Sequence, residues 1–249
     1  FLEEHKRLGK RMIFRSFGSI ESDYRDLIAG ANACADDYGF EIETKVTEAD
    51  FVPWLPKNPF LRKNPPLTLG AECDALGEYL SAGYLPAAQV GRIREYVASA
   101  REEGVDRYAI RIDRVGNSIF DSAHEVNLYA YMRFIRDPQA TADGVIAEYA
   151  AKRFGAAAKD MQAFYETLEY KWTHELAGKV KDSPAGPVTV PPTEPEIWER
   201  IYGPDEAAKL RGMLDAAAAK VSEGSLEARR IALIRRESVK TMIEKGSVK

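Results

Sequence analysis

Apolar positions in the first half of the chain recur with two different periods. Short runs rich in aliphatic and aromatic residues, at 11–17 (RMIFRSF), 40–46 (FEIETKV), 66–71 (PLTLGA) and 107–113 (RYAIRID), read as strands. Each is brief enough to be buried in a parallel sheet. Between them lie helical stretches at 22–38, a short turn at 76–80, and 87–103, where Val90, Ile93, Val97 and Ala100 recur at helical spacing. The order is β-α-β-loop-β-α-β-α, and parallel strands joined by helical crossovers give either an open doubly wound sheet or a (β/α)8 barrel. No GxGxxG or GxxxxGK[ST] phosphate loop follows any of these strands, which turns the expectation toward the barrel. Only about four of its eight strands are accounted for. Four such strands alone would leave two unpaired edges and an uncovered inner face. The expectation is therefore the C-terminal half of a barrel, its N-terminal half lying in the same or another chain.

Beyond Asp137-Pro138 the pattern turns helical, near 141–154, 157–176, 204–223 and 225–245. Residues 182–195 carry Pro184, Pro187, Pro191, Pro192 and Pro195 and read as a non-helical connector. The fold class expected is thus α/β: a partial (β/α)8 TIM-type barrel holding its last four strands, residues 1–136, followed by an all-α domain, residues 137–249. The polar segment 1–10 reads as the end of a helix and not as a signal peptide, and it carries no information on compartment.

Composition narrows the function classes. With 249 residues, 45% hydrophobic and 30% charged, the chain has apolar material for one large domain or two modest ones. Lys+Arg total 35 against Asp+Glu 39, a net charge of -4 without long blocks of one sign, so nucleic acid is not an expected partner. No run approaches the roughly 20 apolar residues of a membrane span, so no membrane is expected either. Cys34 and Cys73 lack CxxC spacing and read as free thiols, and His5, His124 and His174 have no carboxylate partner at ligand spacing. No metal and no organic cofactor is expected.

The 47–65 loop holds Pro53, Pro56, Pro59 and Pro65 with Phe51, Trp54, Phe60 and Leu61, and a loop of that length calls for a functional reason or a covering partner. In a barrel the working residues sit at the C-terminal ends of the strands. Arg15 lies near the end of the first strand. Lys45 closes the second, with Asp50 five residues on; Glu72 closes the third, followed by Asp74 and Glu78; Arg114 and Asn117 follow the fourth. Paired carboxylates across a sugar ring are the basic equipment of glycoside hydrolysis, and cations beside them suit an anionic sugar. Tyr79 and Trp54 offer aromatic faces to the C–H surface of a pyranose. Taken singly, each of these residues is more often a helix cap, a solvated charge or a structural ion pair. Their recurrence at the ends of successive strands is what lifts them together.

The stretches KVTEADF at 45–51, NPFL at 58–61, LGAE at 69–72 and EYL at 78–80 with Gly83 resemble the second half of the α-glucuronidases of glycoside hydrolase family 67. There a Lys precedes an Asp-Phe pair by the same interval, and a Glu-Tyr-Leu-Gly motif follows at the same distance. NLYAYMR at 127–133 with Asp137-Pro138 resembles the family's passage from its last barrel strand into the C-terminal helical domain, and Arg15-Ser16-Phe17 resembles an Arg-x-Phe at an earlier strand end. The likeness covers roughly residues 11–155.

The resemblance implies that Asp50 and Glu78 position and deprotonate the attacking water in an inverting reaction, and that Arg15 and Lys45 bind the carboxylate of a uronic acid. Glu72, Tyr79, Arg114 and Asn117 are the further candidate substrate contacts. The general acid would lie on an earlier strand, the substrate would be an oligosaccharide bearing α-linked glucuronic acid, and the helical domain would form a homodimer. The chain departs from the family at Val46-Thr47, at Ser81-Ala82-Gly83, and at Arg111, Asp113 and Arg114, which bears on the sugar recognised. The alternatives are a glycoside hydrolase of another substrate class and a non-catalytic sugar-binding or assembly module.

Overall fold

The computed structural model describes residues 2–9, 12–15, 25–26, 29–30, 33, 40–47, 51–52, 54–55, 57–58, 68–77, 85–105, 107–112, 119–184, 186–193 and 195–239. The fold is mixed α/β. A helix α1 (Leu2–Leu8) precedes strands β1 (Met12–Arg15), β2 (Phe40–Lys45) and β3 (Thr68–Asp74); helix α2 (Val90–Glu102) then leads into β4 (Arg107–Arg111). The four strands form one sheet in the order β1-β2-β3-β4, every neighbouring pair parallel. Residues 25, 26, 29, 30 and 33, within the expected helix at 22–38, are helical.

The remaining elements are α3 (Glu125–Arg136), α4 (Ala142–Phe154), α5 (Ala158–Tyr170) with a π-helical turn Lys171–Glu175, strands β5 (Lys179–Ser183) and β6 (Gly186–Val190), a π-helical turn Glu196–Ile201, α6 (Pro204–Ala218), and α7 (Leu226–Ile234) continued by the turn Arg235–Val239. Helix starts follow capping chemistry: Thr141 accepts from the Gly144 amide, Ser225 from the Ala228 amide, and Pro204 opens α6, where its missing N–H costs nothing. The chain divides into two compact units, Phe1–Phe51 with Leu55–Asp74 and Tyr96–Arg111, and Val52–Trp54 with Ala75–Glu95 and Ile112–Lys249.

Three expectations change. The helical turn at 76–80 is not present at its start: Leu76 and Gly77 are non-helical, with Gly77 at φ 78°, a left-handed conformation that glycine adopts without a Cβ clash. The third strand begins at Thr68 and runs to Asp74, so Glu72 lies within it and does not close it. The proline-rich connector contains a β-hairpin, β5 pairing antiparallel with β6, so β-structure stands where the sequence suggested only helices and a linker. Pro187 is tolerated because a two-stranded sheet consists of edges, where a missing donor need not break a ladder.

In the second unit an aromatic core holds the helices. Tyr149 meets Phe154 and Tyr165 edge-on at centroid distances of 5.9 and 5.4 Å, and Phe164 meets Tyr165 at 5.3 Å; all four are buried. In α2 the apolar stripe read from the sequence is the buried one, with Val90, Ile93, Val97 and Ala100 all inside. Glu169 of α5 accepts hydrogen bonds from the Val90 and Gly91 amides, closing the N-terminus of α2 with a carboxylate where the helix dipole favours one.

Candidate functional site

Side chains alternate across a strand, so the register of β1 to β4 sorts their residues onto two faces. One face carries Ile42, Thr44, Ala71 and Cys73, all fully buried, with Phe14, Tyr108 and Ile110. The other carries Arg15, then Glu41, Glu43 and Lys45, then Gly70, Glu72 and Asp74, then Arg107, Ala109 and Arg111. Four cations and four carboxylates share that second face. An apolar side built to be covered and an opposite side lined with charge make the sheet two-faced from the primary sequence upward.

Two arginines span the charged face from opposite edges. Arg15, from β1, reaches over β2 to Glu72 of β3 in a forked pair, Nε to Oε2 at 2.5 Å and Nη2 to Oε1 at 2.7 Å. The planar guanidinium matches a carboxylate in this way, and the contact raises the proton affinity of Arg15 further. Glu72 is buried, with 6% of its side chain exposed, while Arg15 keeps 42%. From β4, Arg107 reaches over β3 to β2, where it pairs with Glu41 and lies 3.9 Å from Glu43. Lys45 is register partner to Glu72 and sets its ammonium 4.7 Å from the centre of the Phe51 ring.

The end of β2 is held by the loop that follows it. The Asn58 amide donates to the Val46 carbonyl, and its side-chain Nδ2 donates to Thr44 Oγ1 at 3.1 Å and to the Lys45 carbonyl at 3.0 Å. A bridge between Thr47 and Lys57 completes the return, and Asn58 is buried. The NPFL motif thus contributes its asparagine as an anchor that fixes the backbone beside Lys45.

Of the residues expected from the sequence, Arg15, Lys45 and Glu72 come together on one face of one sheet. Asp50, Glu78, Tyr79, Arg114 and Asn117 lie outside the described residues. His124 is buried at the start of α3, and Trp54 is half-buried. Asn127 acts within the second unit: its Nδ2 donates to the carbonyls of Ala75 and Ala87, and its Oδ1 accepts from the Gln89 amide. A cavity of about 140 Å³ in the same unit is lined by Lys179, Lys181, Arg200, Glu175 and Glu196 among others, and by none of the expected site residues. Among the described residues no group of three His, Cys, Asp or Glu side chains is placed to hold a metal ion, and no helix is long and apolar enough to cross a membrane.

No protein-family model matches the chain, and no curated protein matches it. The residues of the charged face that sequence reasoning passed over are Glu41, Glu43, Gly70 and Arg107. For Glu41 and Glu43 the signal lay in FEIETK, where acid, acid and base occupy alternate positions and so had to share a face.

Proposed function

We propose that this chain supplies the last four βα units of a (β/α)8 glycoside hydrolase, with a mainly helical domain after about residue 136. The observation that carries this reading is the sheet: four parallel strands in sequence order, each bringing charged side chains to the same face. A doubly wound sheet reverses its strand order at a switch point, and its ligand sits in that crevice. Sequential order passes every right-handed crossover to one side, leaving the opposite face as the inside of a barrel. Charged side chains toward the C-terminal ends of the strands then line the mouth where barrel enzymes do their chemistry.

Within that frame the substrate is an oligosaccharide carrying an α-linked uronic acid, in keeping with the motif likeness to the family 67 α-glucuronidases. Arg15 and Lys45 face the sugar carboxylate, Glu72 orients Arg15, and Tyr79, Arg114 and Asn117 complete the binding surface. Asp50 and Glu78 activate the attacking water, which enters opposite the leaving group and inverts the anomeric centre. A carboxylate base close to a second carboxylate has its proton affinity raised toward working pH, which suits it to the task. The N-terminal half of the barrel and a second copy of the helical domain are the partners this reading requires.

The test is hydrolysis by the full-length protein of an oligosaccharide bearing α-linked glucuronic acid, with the released sugar followed by proton NMR. Release of β-glucuronic acid before mutarotation is the expected outcome. Absence of uronate release overturns the reading. A neutral glycan is the second reading, and one observation favours it: the fork of Arg15 is already occupied by Glu72. Faster cleavage of neutral aryl glycosides than of the uronide would select it.

A further inference from the structure

Among the described residues, the cavity of the second unit is lined by chain between Glu175 and Arg200 alone. The hairpin supplies Lys179 and Lys181, two positions apart on β5 and so on one face of it, and the turn Glu196–Ile201 supplies Arg200. Among the described residues the side chains of these three cations enter no ion pair and no hydrogen bond. The two carboxylates of the lining are engaged. Glu175 pairs with the buried Lys171 at 3.1 Å, and Glu196 accepts from the Thr193 amide at 2.9 Å and from the Thr193 hydroxyl at 3.1 Å. We propose that this cavity binds a small oxyanion, inorganic phosphate or sulfate or the carboxylate of an acidic sugar, held by Lys179, Lys181 and Arg200.

The balance of charge decides the sign of the ligand. An amine would meet carboxylates that already hold their donors and three cations that repel it, whereas an oxyanion finds three donors without acceptors. The Thr193 amide and hydroxyl first, with the charges of Lys179 and Arg200 adding to them, hold the Glu196 carboxyl below its ordinary value, so both cations already act on that wall of the cavity. Size limits the ligand as well. A volume of about 140 Å³ is well under the roughly 300 Å³ at which pockets for drug-sized molecules begin, so the cavity takes one acidic group or one small anion and not an oligosaccharide. Its frame is stiff. Pro191 and Pro192 fix the backbone where the chain leaves β6, and Gly178, at φ 83°, turns so closely against β6 that a Cβ there would lie 2.7 Å from the Val190 carbonyl oxygen. A wall already held in place loses little freedom when a ligand enters. The three cations stay exposed, so an anion reaches them from solvent and competes with salt.

The inference does not rest on the hydrolase reading, and its test reads binding alone. Isotope-labelled full-length protein is titrated with sodium phosphate, sodium sulfate and sodium glucuronate at constant ionic strength, and backbone amide shifts are followed by two-dimensional NMR. Saturable shifts at residues 178–181 and 190–201 are expected with at least one anion, and the tightest of the three identifies its source. Arg200→Gln and, separately, Lys181→Gln should each weaken that binding about tenfold. Glu196→Gln keeps an acceptor for the Thr193 amide while removing a like charge, so it should tighten binding several-fold, the reverse of what loss of a merely structural contact would do. Lys220→Gln, which removes a cation paired with Asp160 elsewhere in the unit, should leave the affinity unchanged. Shifts that grow without saturating overturn the site, as does an affinity that both Arg200→Gln and Lys181→Gln leave intact or that Lys220→Gln lowers equally. Glucuronate shifts confined to β1–β4, with 178–201 unmoved by any of the three anions, overturn it too while supporting the hydrolase reading.

Discussion

Arg107 passes directly over Gly70: a Cβ built on the glycine would lie 2.5 Å from Arg107 Nη2 and 2.9 Å from Nε. The absence of a side chain at Gly70 is what lets a guanidinium from β4 cross β3 and reach Glu41 on β2. Gly70→Ala forces Arg107 off that path and is expected to destabilise the fold by about 1–3 kcal/mol. Arg107→Ala takes the guanidinium away from the buried Glu41 carboxylate and is expected to cost about 3 kcal/mol. The two changes act on one contact, so they should not add. In the Arg107→Ala background, Gly70→Ala becomes neutral, or slightly stabilising through the unfolded chain, by at most about 1 kcal/mol. Urea denaturation of the four proteins measures the cycle; full additivity would show that the glycine serves something other than the arginine.

Asn58 and Thr44 make a second such pair, and they bear on the site. The Asn58 side chain is buried with two donor contacts into the end of β2, one of them to the carbonyl of Lys45. Asn58→Ala leaves that carbonyl and the Thr44 hydroxyl without the amide and is expected to cost about 1–3 kcal/mol. Local loosening should be visible first as faster proteolysis between residues 47 and 65. In a complete barrel, KM for a uronide should rise more than kcat falls, because the backbone that aims Lys45 is loosened while the reacting groups stay in place.

The strands were legible because each is a short run rich in aliphatic and aromatic residues, and their sheet order follows their order in the chain. Gly70, Glu43 and Arg107 were not. A reading that looks for chemistry only at strand ends passes over charges within the strand, and the pairing of Arg107 with Glu41 joins residues 66 positions apart. The hairpin at 179–190 was hidden by composition: prolines that forbid a helix say nothing about whether the chain between them pairs with itself. At the start of the expected turn at 76–80, Gly77 takes a positive φ outside the helical region, an angle that composition alone does not announce.

The surface of the second unit carries a pH-dependent network. Glu148 of α4 accepts from Lys152 Nζ at 2.7 Å, Tyr129 Oη at 2.7 Å and Arg133 Nε at 2.8 Å, and these donors hold its carboxyl down at about 2. A carboxylate whose folded value lies below the unfolded one, about 4.3, stabilises the fold above that pH. The contribution is lost as pH falls toward 2. Glu148→Gln should therefore lower stability near neutrality by only about 1 kcal/mol, because the network lies at the surface. The gap to wild type should close on acidification below roughly pH 4. A gap independent of pH in urea titrations would remove charge as the cause.

Asn127 sits at the opposite extreme, fully buried, with three hydrogen bonds that each use a different part of its amide's capacity. Two donor protons go to the carbonyls of Ala75 and Ala87, both at 2.9 Å, and the oxygen accepts from the Gln89 amide at 2.8 Å. Asn127→Ala leaves three buried backbone groups without that partner and is expected to cost about 3–5 kcal/mol. Asn127→Asp is the sharper probe. It keeps the acceptor for Gln89 but turns its second oxygen, if ionised, toward two carbonyl oxygens; a proton on that oxygen restores one donor. The folded protein then binds a proton more tightly than the unfolded chain, so the Asp variant is most stable at low pH and loses stability as pH rises through its raised folded value. Wild-type protein has no such group at this position. A difference between Asp and wild type that widens from pH 4 to pH 7 in thermal melts is the expected result, and a constant difference would show that the amide's two protons are not what ties the 75–89 segment to α3.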